Sequence, residues 1–84
     1  MDTEFFDDPI GLTCSIDEQG QVKVQRMVWQ ERAYTIVTEG RQWRDEEGRH
    51  AMVQAADTTR FEIVLSREDL IWRVKKVWRP QAAA

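Results

Sequence analysis

An all-β fold is what this sequence predicts: a small partly open barrel or rolled sheet of five to six antiparallel strands, with at most one short helical turn. Three observations carry it. From Leu12 onward, short runs rich in Val, Ile, Thr, Trp, Phe and Tyr are separated by turn residues. Within several runs, apolar and polar side chains alternate with the two-residue period of a strand. No segment carries the apolar stripe that an amphipathic helix buries. Residues 38–47, the best opening for a helix, start at a capping Thr38, but Gly40 interrupts them and Trp43 is their only apolar side chain.

The elements follow in order. Residues 1–9 read as a flexible acidic arm. In 12–16 Leu12, Cys14 and Ile16 share a face, and 17–20 form a turn in which Gly20 suits a positive φ. Residues 22–29 begin with Val22 and Val24 on one face. The run Met27, Val28, Trp29 then breaks the alternation, which implies a bulge or a strand covered on both faces. A turn at 30–32 leads to the returning strand 33–37, and 44–49 is a third, polar turn. Strands at 50–55 and 60–65 flank a turn at 56–59. The segment 66–69 is a tight turn with cap-like chemistry, able to hold one helical turn. Residues 70–78 close the domain, which spans 10–79, and 80–84 form a disordered tail. The core set is Val22, Val24, Val28, Tyr34, Ile36, Met52, Phe61, Ile63, Leu65, Trp72 and Val74.

With 84 residues the chain makes one small domain, and its four tryptophans and three phenylalanines offset a short core. Net charge is −3, unevenly placed. Six of the fifteen acids lie in the first twenty residues, while all twelve Lys and Arg lie beyond them. Whole-chain acidity disfavours an autonomous nucleic-acid binder yet leaves a local basic surface open. A further expectation is that the acidic arm, with Phe5 and Phe6, lies along the basic C-terminal strand of its own chain or of a neighbouring copy, its acids pairing with Arg73 and Lys75. Cys14 is the only cysteine, so no internal disulfide and no thiolate zinc site can form. The acidic start lacks a secretory pattern, and no apolar run would span a membrane, so the expected location is cytoplasmic, with no membrane partner.

The order Trp29-x-x-Arg32-x-Tyr34-x-Ile36, then Trp43-Arg44, Phe61-Glu62-Ile63 and Trp72-x-Val74-x-x-Val77 resembles a family of small uncharacterised bacterial domains of unknown function. Their pattern runs F-x-W-x-G-R-x-Y-x-V, then W-W, Y-E-L and W-x-L-x-x-V. The resemblance covers residues 10–78 and implies a compact β fold and a bacterial source. It implies no catalytic residue and no ligand; some such domains neighbour DNA-repair polymerase-like proteins. Glu31 stands where the pattern has glycine, which bears on the turn type.

Chemistry-bearing residues are few. His50 is the sole histidine and reads as an exposed loop or strand-start residue, since "GRHAM" offers no acid at helical spacing. Cys14 reads as a buried structural thiol. Asp7-Asp8 and Asp45-Glu46-Glu47 lack the ligand spacing of a calcium loop and read as solvated acids. No phosphate loop or nucleophile elbow is present, so neither enzyme chemistry nor a cofactor is expected. In the strand "WRVKKVW", a bulge at Lys75-Lys76 would return Val77 inward and leave Arg73, Lys75 and Lys76 outside, with Trp78 and Arg79 at the rim. That basic-aromatic strand, together with Trp43 and Arg44, is the candidate interaction surface. The first reading is a non-catalytic accessory module that binds an unknown protein partner or self-associates. The second is single-stranded nucleic-acid binding through the C-terminal strand, with cations for phosphates and a ring for stacking.

Overall fold

The computed structural model describes residues 3–80 and contains seven antiparallel strands in one sheet, with no helix among those residues. They are β1 (Thr3–Pro9), β2 (Gly11–Ile16), β3 (Val22–Trp29), β4 (Arg32–Arg44), β5 (Gly48–Ala55), β6 (Arg60–Ser66) and β7 (Trp72–Trp78). Their order across the sheet is β1-β7-β6-β5-β4-β3-β2. From β2 to β7 the chain is a simple meander, as the regular turn spacing predicts. The expected tail lies, beyond Pro80, outside the described residues.

β1 and β2 occupy opposite ends of the sheet, yet only Ile10 separates them in the chain. The sheet must therefore roll until its two ends meet at that residue, whose N–H donates to Trp72 O at 3.0 Å. Trp29 clasps the roll from within. Its indole N–H donates to Asp8 Oδ2 at 3.0 Å, and its ring meets Phe6 edge-on at 4.8 Å. β1 and β2 do not pair with each other, so the roll stays open rather than closing into a barrel.

The arm expected at 1–9 is, from Thr3 to Pro9, an edge strand on β7, with Thr3 opposite Trp78 and Pro9 opposite Arg73. It is ordered by pairing that composition does not reveal: Phe6 reaches Trp29, while Asp7 and Glu4 meet Lys75 and Arg79. Phe5 points outward and is 73% exposed. The expected docking of the acidic segment on the C-terminal strand is thus present within one chain.

Among the register shifts of the sheet, those on β3 and β7 decide which side chains are buried. Opposite Thr13 and Cys14, β3 presents Arg26 and then Val24, so Gln25 is the extra residue. The parity switch buries Met27 and Trp29 behind Val22 and Val24, and turns Val28 out to 42% exposure, against its place in the expected core. On β7, Lys76 faces Glu62 and Val74 faces Ile63, which makes Lys75 the extra residue and returns Val77 to the interior, as the alternation requires. Phe61, Ile63, Val74 and Val77 are fully buried, and Phe61 packs edge-on against Trp29 and Tyr34 at 5.9 and 4.9 Å. In β5 the inward set is Ala51, Val53 and Ala55, so Met52 lies on the opposite face, half-buried. Leu65 and Trp72 are also only partly covered.

β4 is longer than the strand expected at 33–37 and absorbs the segment considered for a helix. It pairs with β3 only over Arg32–Thr35, then turns toward β5. Side chains of β4 fill the gap that opens beside β3. Gln42 accepts from Val22 N–H at 3.1 Å and donates to Val22 O at 2.6 Å, imitating a paired backbone residue, and Glu39 accepts from Val24 N–H. The backbone groups of a split sheet are thereby satisfied.

The β3–β4 hairpin turns on Gln30 and Glu31, whose φ values of 52° and 62° place both in the left-handed region of a type I′ turn. Such turns favour Asn-Gly, because a side chain there costs about 1–2 kcal/mol. Glu31→Gly is therefore expected to raise stability by about 1 kcal/mol, a rise in melting temperature of roughly 4–8 °C for a domain of this size. Thermal melts followed by circular dichroism check it; an unchanged or lower midpoint would contradict the turn assignment.

Candidate binding sites around the β4–β5 turn

The basic strand proposed from sequence is present, but its charges are neutralised within the chain. Arg73 grips Asp69 through two contacts, at 2.7 and 3.1 Å. Lys75 lies 2.6 Å from Glu47 and 3.2 Å from Asp7, while Lys76 sits 3.7 Å from Glu62. Arg79 pairs with Glu4, its guanidinium over the Trp29 ring. The Glu47 carboxylate, against some desolvation and with help from Asp7, pushes the Lys75 pKa up, so this ammonium stays charged. Trp78 is half-buried between Thr3 and Arg60. The strand thus gathers Arg73, Lys75, Lys76 and Trp78, with Arg79 just past its end, but none of these four cations is left without an acid.

Trp43 and Arg44 separate from that strand and from each other. Trp43 faces His50 across the β4–β5 pair and stacks on its ring, centroids 4.9 Å apart and planes 5° from parallel, with Arg41 lying against the same indole. Arg44 faces Arg49, and alternation puts this pair on the other face of the hairpin. There the two guanidinium groups converge on the turn glycine Gly20, at 3.4 Å for Arg49 and 4.0 Å for Arg44 from the position a Cβ would take. Gly20 has the positive φ expected of it, 79°. Arg67, from the β6–β7 turn, joins them around a cleft of about 720 Å³ that Leu65, Leu70, Asp45 and Gly48 complete.

Among the described residues none of these three arginines forms an ion pair. Arg49 Nε is buried without a hydrogen-bond partner. Asp45, the one acid in the lining, spends Oδ1 on the N–H groups of Glu47 and Gly48 and on His50. Leu70, whose N–H donates to Ser66 O at 2.8 Å across the β6–β7 turn, is 71% exposed. The open end of the roll therefore presents convergent cations beside apolar side chains. Arg49 and Arg67 were not legible as members of a site: they lie 18 residues apart in the chain.

On the outer face the exposed histidine expected from sequence is overturned. His50 is 3% exposed, roofed by Trp43 and enclosed by three acids from two places in the chain, the β4–β5 turn and β6. Nε2 lies 2.9 Å from Asp45 Oδ1 and 3.9 Å from Glu47 Oε1, and Nδ1 lies 3.4 Å from Glu62 Oε2. The hydrogen bond with His50 above all, opposed by desolvation and helped by the Gly48 and Glu47 amides, holds the Asp45 carboxyl below the usual carboxylate range. A polar turn folded back over its own strand produces this enclosure; Glu47, three residues before His50, is the one acid whose spacing signals it. Cys14 is half-buried on β2, and burial pushes its thiol pKa up, opposite to what a nucleophile needs.

No protein-family model matches the chain, and neither the curated proteins nor the solved structures contain a match to it.

Proposed function

We propose that the chain is a non-catalytic binding module, which uses the open end of its rolled sheet to hold an acidic, partly apolar segment of a protein partner. The observation that supports this reading is the convergence of Arg44, Arg49 and Arg67, without acid partners among the described residues, beside Leu65 and the exposed Leu70. Unpaired arginines bind carboxylates through their planar fork of donors, and adjacent leucines receive the apolar side chains between them. A nucleic acid is the weaker fit. The cleft lining has no aromatic ring for base stacking, and the cations of β7 are already paired.

Fluorescence anisotropy of a labelled peptide alternating Glu with Leu tests the reading, with oligothymidylate as the competing probe. Arg44→Glu and Arg67→Glu, both at exposed positions, are each expected to weaken peptide binding about tenfold, equivalent to 1.4 kcal/mol. Lys76→Glu on β7 is expected to leave it unchanged. Equal peptide affinity in all variants would overturn the proposal. So would tighter oligothymidylate binding abolished by Lys76→Glu, which would establish the nucleic-acid reading instead.

A further inference from the structure

The buried histidine on the outer face of the β4–β5 hairpin poses a problem of proton placement. Trp43 fixes the ring plane, so each nitrogen meets a set neighbour: Nε2 faces Asp45 at 2.9 Å and Nδ1 faces Glu62 at 3.4 Å. Neutral imidazole has one N–H and one lone pair. A proton on Nε2 bonds Asp45 but aims the Nδ1 lone pair at the Glu62 carboxylate, and Nδ1 is buried with no hydrogen-bond partner. A proton on Nδ1 suits Glu62 but sets the Nε2 lone pair against an Asp45 oxygen. Either tautomer leaves two acceptors facing each other in a poorly solvated place.

A cation on the Nε2 side resolves this. The ligand atoms of Asp45, Glu47 and His50 all lie within 4.8 Å of one another. We propose that these three residues bind a divalent transition-metal ion of the zinc type, with Glu62 accepting the His50 Nδ1–H from behind. The second role matches a general pattern, in which a metal-bound histidine donates its other N–H to a carboxylate that fixes its tautomer. Imidazole nitrogen beside carboxylate oxygen selects zinc-like ions over calcium or magnesium. Three protein ligands leave a fourth position for water.

The surroundings favour a cation. A cleft of about 610 Å³ beside Glu47 is lined by five acids, Asp7, Glu46, Glu47, Glu68 and Asp69, against Arg67 and Arg73. Zinc bonds of about 2.0–2.2 Å require the ligand atoms to draw closer. Asp45 and Glu47 have side chains 49% and 42% exposed, with room to turn toward the ring. Lys76 Nζ lies 3.7 Å from Glu62, and the cation set directly against a ligand is Lys75 Nζ, 2.6 Å from Glu47 Oε2. It leaves Glu47 Oε1 available, and its removal should strengthen binding. The site lies on the other face of the hairpin from the arginine pair and shares only Asp45 with the lining of that cleft.

Isothermal titration of zinc chloride into the full chain at neutral pH and moderate salt is the test. The expected result is one ion per chain, with Glu47→Gln and Glu62→Gln each weakening binding at least tenfold. Lys75→Gln should tighten it about threefold, a direction that a merely structural ion pair would not produce. Glu47 and Lys75 are not core residues, so these variants stay testable if replacement of His50 prevents folding. Nitrogen NMR of His50 should show Nε2 moving to a metal-bound shift while the Nδ1 proton is retained. A doubly protonated ring indifferent to zinc would overturn the proposal and identify a buried imidazolium instead. Binding of several ions, unaffected by Glu47→Gln, would overturn it as adventitious attraction to surface acids.

Discussion

Trp29→Ala is expected to unfold the domain under conditions where the native chain is fully folded. Trp29 is 2% exposed and, from β3 near one end of the sheet, reaches Phe6 and Asp8 of β1 at the other end, with Phe61 of β6 packed between. Truncating a buried tryptophan costs about 3–5 kcal/mol in lost transfer energy and cavity. The Asp8 carboxylate loses its indole donor as well, about 1 kcal/mol more. Against a total stability of roughly 5–15 kcal/mol, and nearer the low end for a chain this short, that loss removes most of the margin. Urea denaturation followed by circular dichroism measures it, and a loss under about 1 kcal/mol would show that the clasp is not where the roll is held. Trp29→Phe separates the two contributions, because it keeps a ring against Phe6 and Phe61 but gives up the bond to Asp8. Its expected cost is about 1–3 kcal/mol.

Gly48→Ala is expected to be the most damaging single-methyl change in the chain. A Cβ at position 48 would sit 2.0 Å from Leu65 O and 3.0 Å from Arg67 N, and the residue has a φ of 153° that side chains rarely adopt. The obstacle is backbone of the adjacent strand, which cannot rotate aside, so β5 must separate from β6 where Gly48 faces Ser66. Overpacking and backbone strain together are expected to cost about 3 kcal/mol. The effect should reach function too. Gly48 closes the turn that carries Asp45 and Glu47, and Arg67 N–H donates to Glu47 O at 2.9 Å across the same contact. Peptide and zinc affinities should therefore fall together in this variant, unlike in the side-chain variants above, which separate them. An alanine variant with native stability and both affinities intact would contradict the close approach of β5 and β6.

The candidate sites were only partly legible in the sequence. Arg44 and Trp43 stand out as a charged and an aromatic residue in a polar stretch, and both take part in a site, although in two different ones. The charge run of β7 is equally visible, and misleading when read alone, because its acid partners come from β1, from the β4–β5 and β6–β7 turns and from β6. His50 shows the same limit. Its nearest acids are visible as a polar turn, but only the fold brings Glu62 behind the ring and Trp43 over it.

Period-two alternation, turn residues and the lack of an apolar helical stripe suffice for the all-β class, for β2, β3, β5, β6 and β7, and for the bulge at Lys75. These are local consequences of which side chains must avoid water over a few residues. β1, the second half of β4 and the enclosure of His50 depend on tertiary partners that local pattern does not show: β7 for β1, the backbone of Val22 and Val24 for Gln42 and Glu39, and Glu62 for His50. An acidic, locally unremarkable segment becomes a strand because β7 offers it a ladder and Trp29 a contact. β-structure takes its free energy from cross-strand neighbours more than from intrinsic preference, so those elements, and the two sites built on them, exist only once the sheet has rolled.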